Sequence, residues 1–420
     1  MVNIVVKRDG REDVYNPNKI STAISKAFKE IDGDITEESK VIIDRITNQI
    51  TETGKKKMSV EEIQDIVETK LMASNRKDVA KAYILYRNER TKVRDRNSKL
   101  IKSVSEKLMA TNVQNQNANV DEKSFGGRMG EANDAVMKQY ALDYCMSEMA
   151  KNNHLNNEIY IHDLNSYAVG MHNCLSVPFD KLLANGFNTR QTDVRPAQSV
   201  STAFQLVAVI FQLQSLQQFG GVSATHLDWT MIPYVRKSFA KHFLDGVHWI
   251  CDDGVIYDKE ELYENSIESS LYKEQPRAYE YAVKMTEREV HQSVEAMYHN
   301  LNTLQSRSGN QLPFTSINYG TCTEPEGRMV TKALLEVSID GIGSLHKTSI
   351  FPCGIFQCMK GVNRKPEDPN YDLFQLALKS TAQRLYPNYA NVDWSGNTGY
   401  DIYDPKTYFS TMGKRKLQLI

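Results

Sequence analysis

The chain has 420 residues, and 51 Lys plus Arg against 52 Asp plus Glu leave a formal net charge of −1. Balanced charge excludes a protein built chiefly to coat nucleic acid or anionic membrane, and 40% hydrophobic with 25% charged residues excludes a disordered chain. The opening MVNIVVKRDG is too short an apolar run for a secretion signal, and no window approaches the roughly 18 apolar residues of a spanning helix, so a cytoplasmic protein is expected.

Val2 to Val6 and Glu12 to Tyr15 read as two short strands, and Asp9-Gly10 between them supplies the positive φ of a hairpin. Asn16-Pro17 is an N-cap followed by proline at the first helical position, opening a helix to about Ile31. Val41, Ile42, Ile46 and Ile50 recur near the helical period. Ser59 and Glu62 form a capping box ahead of Ile63, Ile66, Val67 and Leu71. A fourth helix runs from about Asp78 to Arg90, so residues 1–92 read as a β-hairpin over a four-helix bundle. Residues 93–124, rich in Lys, Arg, Asn and Gln, read as a connector that begins helical and ends as loop. Beyond it, helical patterns at about 132–153, 197–219, 229–245, 277–307, 325–340 and 371–386 alternate with strand-like runs at 159–162, 171–176, 314–318 and 349–351. That alternation predicts an α/β domain with a mostly parallel sheet.

Lys7 and Arg8 at the hairpin loop, with Asn16 and Lys19 at the start of the next helix, place three cations beside a helix N-terminus. Dipole and side chains there both favour an anion such as phosphate, although a solvated hairpin with charged tips fits the same residues. Gly54-Lys55 is not a phosphate loop, because Gln49 stands where glycine is needed and Lys56 where Ser or Thr is needed. The six cysteines (145, 174, 251, 322, 353 and 358) form no C-x-x-C, so no metal site is assigned. In a reducing compartment they stay thiols, most of them small buried hydrophobes, Cys353 and Cys358 among them.

The string VVKRDGREDVYNPNKISTAISKA, with SVEEIQDIVETKLM and VAKAYILYRNER, resembles the ATP-cone. That is the regulatory nucleotide-binding domain of many ribonucleotide reductases and of one bacterial transcriptional repressor family. The resemblance implies that Val5, Lys7, Arg8, Asn16 and Lys19 contact ATP or dATP as effector. The repressors place a zinc ribbon before the cone and end soon after it, whereas this sequence has no Cys cluster there and runs on, which favours an enzyme.

IYIHDLNSYAVGMHNCLSV, SLQQFGGVS, LPFTSINYGT, SIFPCGIFQCMKGVN and NYDLFQLALKSTAQRLYPN resemble the anaerobic, class III, glycyl-radical ribonucleoside-triphosphate reductase. The resemblance implies a ten-stranded α/β barrel, whose N-terminal part is residues 125–413, and a homodimer with specificity effectors between subunits. It also implies a ribonucleoside triphosphate substrate and an activating partner that cleaves S-adenosylmethionine at an iron–sulfur cluster. Cys174 matches the cysteine that faces the ribose, and a thiol suits that place because it exchanges hydrogen atoms and supplies reducing equivalents. His162 and Asp163 match a segment that approaches substrate, and His172 and Asn173 flank the thiol. For these four a hydrogen-bonded strand-end role is the competing reading. The apolar helix ending at Gly220-Gly221 is expected near the dimer interface, or else is a core helix with a glycine stop.

Family members continue from DPKTYFSTMG into a Cys-Arg pair whose Cys becomes the thiyl radical, but Lys414 stands there and residues 414–420 read as an aberrant tail. An ammonium offers no comparably weak bond. The expectation is an incomplete reductase, inactive alone, with the glycyl radical and zinc in a missing C-terminal part. Part of a barrel leaves open sheet edges and apolar surface, so a complementing C-terminal fragment is an expected partner, and nucleic acid and membrane are not. The alternative is a nucleotide-binding regulatory subunit without catalysis. A formate-lyase-like glycyl-radical enzyme is a third reading, which the ATP-cone opposes.

Overall fold

The computed structural model describes residues 2–8, 10–108, 124–170, 173–251, 255–306, 311–394, 399–401, 403–408, 410–412 and 416–417. The chain divides into two units, Met1–Ser103 and Val104–Ile420.

In the first unit β1 (Ile4–Val6) and β2 (Glu12–Val14) pair antiparallel, and Gly10 turns the hairpin at φ +84°. The hairpin is not alone. A third strand, β3 (Lys57–Ser59), lies parallel to β1, in the order β2-β1-β3. Three residues, two of them polar, are too few for strand alternation to show in a sequence. The helix α1 (Pro17–Asp32) starts at Asn16, whose side chain accepts the Asn18 N–H at 3.0 Å. Thr36 caps α2 (Glu37–Thr51), and the capping box of Ser59 and Glu62 opens α3 (Val60–Met72). Past Arg90, α4 (Lys77–Leu108) continues into the charged stretch, because Lys, Arg and Glu are good helix formers.

Ile20, Ile24 and Phe28 of α1 meet Ile43, Ile46 and Ile50 of α2 and Ile63, Val67 and Leu71 of α3 in one core. Each such side chain contributes about 1.5–3 kcal/mol by leaving water. Arg76 forks onto Asp32 at 2.9 and 2.7 Å and onto Asp78 at 3.1 and 2.8 Å, tying the end of α1 to the start of α4.

The second unit opens with α5 (Phe125–Tyr140), a π-helical turn (Ala141–Cys145) and α6 (Glu148–Leu155). One helix is expected over this stretch, and the break falls where Ser147 caps α6 by accepting the Ala150 N–H. There follow β4 (Leu175–Ser176), α7 (Phe179–Asn185), the pair β5 (Phe187–Asn188) and β6 (Asp193–Val194), α8 (Val200–Ser215), β7 (Val222–Ala224) and α9 (Leu227–Gly246). Then come α10 (Lys259–Glu264), α11 (Ser270–Lys273), α12 (Pro276–Thr303), β8 (Thr315–Tyr319), α13 (Pro325–Asp340), β9 (Cys353–Cys358), α14 (Tyr371–Arg384) and β10 (Asn388–Asn391). A last pair, β11 (Thr411–Met412) and β12 (Lys416–Leu417), is antiparallel.

Five strands form a wholly parallel sheet in the order β10-β9-β8-β7-β4. Phe204, Val207 and Phe211 of α8, Met231 and Val235 of α9, Val290 and Val294 of α12, and Val330 and Leu334 of α13 pack with Ile317, Tyr319 and Phe356 of the sheet. Two strand-like runs are not strands. Around 159–162 the chain turns, with the Ile161 N–H held by His154 Nδ1 at 3.2 Å and Asp163 at φ +52°. Residues 349–351 are irregular chain that bends at Phe351 ahead of β9. Conversely, β7 hides behind Gly220-Gly221, and β10, reading NYAN, has too little apolar alternation to announce itself. Among the described residues β4 and β10 are the unpaired edges of this five-stranded sheet.

Candidate functional site

Two constellations carry chemistry, one in each unit. In the first unit a cavity of about 200 Å³ is lined by β1, β2, α1, α3 and α4. Val5, Ile20, Ala23, Ile63 and Val67 give it apolar walls, while Lys7, Lys19, Asp13 and Asn16 supply polar groups. Lys7 Nζ lies 3.1 Å and Lys19 Nζ 3.5 Å from Asp13 Oδ2, so one carboxylate gathers both ammonium groups. The hydrogen bond from Lys7 is the main reason the Asp13 carboxyl sits below its usual range. Arg8 does not line the cavity. Its guanidinium bonds Glu61 and donates to Gln64 Oε1 at 2.8 Å, across to α3. Asp13, Gln64 and Tyr83 are lining residues that the sequence reading missed. The Val60, Ile63, Val67 stripe at helical spacing was the available signal for the α3 wall. Burial pushes the Tyr83 hydroxyl up to about 12.

The second constellation is built on the edge strand of the parallel sheet. Cys174, half-buried, immediately precedes β4. Its sulfur accepts the Gly221 N–H at 3.3 Å and its S–H donates to Asn173 Oδ1 at 3.4 Å. Gly220-Gly221 does not stop a helix, since α8 ends five residues earlier at Ser215. The pair leads into β7 and lies against the residues around Cys174. Here Asn173 does meet the thiol. His162 and Asp163 bond each other, and His162 stands edge-on to Tyr160 at 6.2 Å. Among the described residues neither side chain hydrogen-bonds Cys174. His172 lies outside the described residues, as does Lys414.

At the opposite end of the strands a polar set appears that the sequence reading missed. Asn318, fully buried in β8, donates to the Thr411 carbonyl at 3.1 Å and accepts the Thr411 N–H at 3.3 Å. It thereby holds β11 against the sheet, and Met412 is buried. An amide flanked by Ile317 and Tyr319 was the available signal. Asp228, fully buried, accepts the N–H groups of Gly320 at 2.8 Å, Cys322 at 3.0 Å and Trp229 at 3.1 Å. Burial still pushes its carboxyl above the usual range. Lys406 pairs with Asp180 at 2.9 Å, and burial lowers the nearby His226.

Among the described residues no group of three or more His, Cys, Asp or Glu is arranged to hold a metal ion, and no helix is long and apolar enough to cross a membrane. Burial pushes Cys322 well up and Cys358 to about 11, as for inert core thiols.

The family model for anaerobic ribonucleoside-triphosphate reductase matches residues 116–416, and that for the ATP cone domain matches residues 3–92. The chain is 31% identical over 395 residues to the anaerobic ribonucleoside-triphosphate reductase of Haemophilus influenzae, covering 93% of this chain and 52% of that protein. Against the enzyme of the same description from Escherichia coli it is 29% identical over 392 residues, covering 93% and 51%. The chain thus spans about half the length of these curated relatives. A solved anaerobic ribonucleotide reductase from Thermotoga maritima aligns over 74% of this chain and 51% of that one, at 14% identity and a TM-score of 0.46.

Proposed function

Because the chain belongs to the anaerobic ribonucleoside-triphosphate reductase family and carries an ATP cone, we propose that it is the N-terminal part of a reductase that converts ribonucleoside triphosphates to deoxyribonucleotides by radical chemistry. Replacing the 2′-hydroxyl by hydrogen breaks a C–O bond, releases water and consumes two electrons. The Cys174 thiol faces the ribose and supplies one hydrogen atom, one of the two reducing equivalents, the other coming from an external reductant such as formate or a dithiol protein. Asn173 stands beside the thiol, His172 precedes it by two positions in the sequence, and His162 and Asp163 approach the substrate. What carries this reading is the Cys174 sulfur, half-buried beside β4, an edge strand among the described residues, with two polar partners, unlike the deeply buried Cys322.

ATP or dATP occupies the cavity of the first unit as effector. Val5 packs on the base, Asn16 and Lys19 stand at the start of α1, and Lys7 and Lys19 leave Asp13 for the phosphates. Arg8 joins them by releasing Glu61 and Gln64. Residues 1–92 are then the regulatory domain, 93–124 the connector and 125–413 the first part of a barrel, completed by the half of the relatives' length that this chain does not span. That half supplies the thiyl cysteine, for which Lys414 is no substitute, together with the radical glycine and zinc. The working enzyme is a cytoplasmic homodimer activated by an S-adenosylmethionine-cleaving iron–sulfur partner.

The test is anaerobic turnover of CTP by this chain supplemented with a polypeptide carrying the second half of a relative, the activase with S-adenosylmethionine, and formate or a reduced dithiol protein as reductant. The reading expects dCTP from the mixture, none from the chain alone, and none with Cys174→Ser. Undiminished turnover by the Ser variant would remove Cys174 from the chemistry, and dATP binding without any turnover in the mixture would leave only a regulatory subunit.

A further inference from the structure

We infer that Gln218, with Gly220 and Gly221, is a positioning device that aims the Cys174 thiol, an inference that rests on the role proposed for that cysteine. After α8 ends at Ser215 the chain has to reverse into β7, and Gln218 organises the reversal from a buried position. Its Oε1 accepts from Gln214 Nε2 at 2.8 Å, which leaves its own NH₂ group to donate to the Gly221 carbonyl at 2.8 Å. The same carbonyl accepts the Leu175 N–H at 3.0 Å, and the N–H of Gly221 reaches the Cys174 sulfur at 3.3 Å. A single residue, Gly221, therefore grips Cys174 through its sulfur and its chain neighbour through the backbone.

Gly220 permits the approach. A Cβ built there would stand 1.4 Å from the Asn173 carbonyl oxygen and 2.6 Å from Asn173 Oδ1, so no side chain fits without moving Asn173. Asn173 Oδ1 in turn takes the thiol hydrogen at 3.4 Å. With the hydrogen committed to Asn173 and a lone pair to Gly221, the free rotor of a thiol has one preferred direction. Hydrogen-atom exchange depends on such alignment, and preorganising it shortens the search for a reactive geometry. Sulfur hydrogen bonds are individually weak, so the device governs direction more than stability.

The test uses the 420-residue chain and iodoacetamide, read at each cysteine by peptide mass spectrometry. Exposed Cys145 is the solvent reference and buried Cys322 reports folding. Gln218→Met removes the donor without adding charge, and Gly220→Ala forces Asn173 aside. Both are expected to raise the Cys174 rate relative to Cys145 by about fivefold, as for loss of one hydrogen bond, with Cys322 still protected. Gly221→Ala, whose Cβ would meet only the Phe314 carbonyl at 3.6 Å, keeps its N–H and is expected to stay within about twofold. A Cys174 rate unchanged in Gln218→Met with Cys322 protected overturns the inference.

Should the variants unfold, the Raman S–H band of the unmodified chain that disappears in Cys174→Ser decides. A band displaced from that of a free thiol supports the device, and one at the free position sinks it. Turnover retained by Cys174→Ser, by contrast, would defeat the proposed role of the thiol and leave these readouts untouched.

Discussion

Lys7 and Lys19 share one acceptor, Asp13, and that arrangement sets what removing either does. A charge-assisted bond to phosphate outweighs a neutral one, so Lys7→Ala and Lys19→Ala are each expected to weaken dATP binding by about tenfold or more in equilibrium dialysis. Arg8→Ala is expected to cost less than either, because its guanidinium begins committed to Glu61 and Gln64. Binding lost equally in all three would place Arg8 in the cavity from the outset. Lys7, Asn16 and Lys19 were legible in the sequence because a hairpin tip and a helix cap are local events. Their counterparts were not. Asp13 looks like an ordinary strand residue, and Gln64 and Tyr83 come from helices whose approach depends on the folded core. The Cys174 thiol was visible through the resemblance, but its Gly221 partner, 47 positions away, was hidden until the strands paired.

At the scale of elements, the corner between β7 and α9 concentrates the risk. Asp228→Asn leaves one oxygen where the carboxylate serves three N–H groups with two, and sets an NH₂ group against a donor. A loss of about 2–4 kcal/mol is expected in denaturant melts, the range for stranding buried polar groups. His226 adjoins it and faces Thr225, Asp180, Lys406 and Asp404. Burial is the main cause of its lowered pKa, with Lys406 assisting and the two aspartates opposing. The unfolded chain therefore takes up a proton near pH 6.5, and the folded one does so only at lower pH. Stability from this group is complete above about pH 6.5 and declines as pH falls, by at most about 1.4 kcal/mol per pH unit. Melting temperature is expected to drop between pH 7 and 5, less steeply in His226→Asn; parallel profiles would show that the imidazole does not titrate there. Long helices such as α9 and α12 were readable because their apolar positions repeat over many turns. Three- and four-residue strands such as β7 and β10 carry too few positions for any period to register.

Over the whole molecule, the parallel sheet ends in β4 and β10 without outer neighbours among the described residues, and several large apolar side chains face solvent. Phe125 is 84%, Tyr160 80% and Met149 73% exposed. Exposed edges and apolar patches recruit partners. Light scattering of the purified chain is therefore expected to show concentration-dependent association, reduced when the second half of a relative is supplied and little changed by dATP. A monodisperse monomer at high concentration would contradict this. The first unit, with its own core of Ile, Val, Leu and Phe, is expected to melt cooperatively when expressed as residues 1–108. The grip of Asn318 on Thr411 has a separate outcome. One side-chain amide there imitates a neighbouring strand, greeting the N–H and C=O of Thr411 and ignoring its hydroxyl. Such a handshake is blind to spelling: saturation mutagenesis should find position 411 permissive and position 318 unforgiving, so this stretch is free to drift in letters while its path stays put.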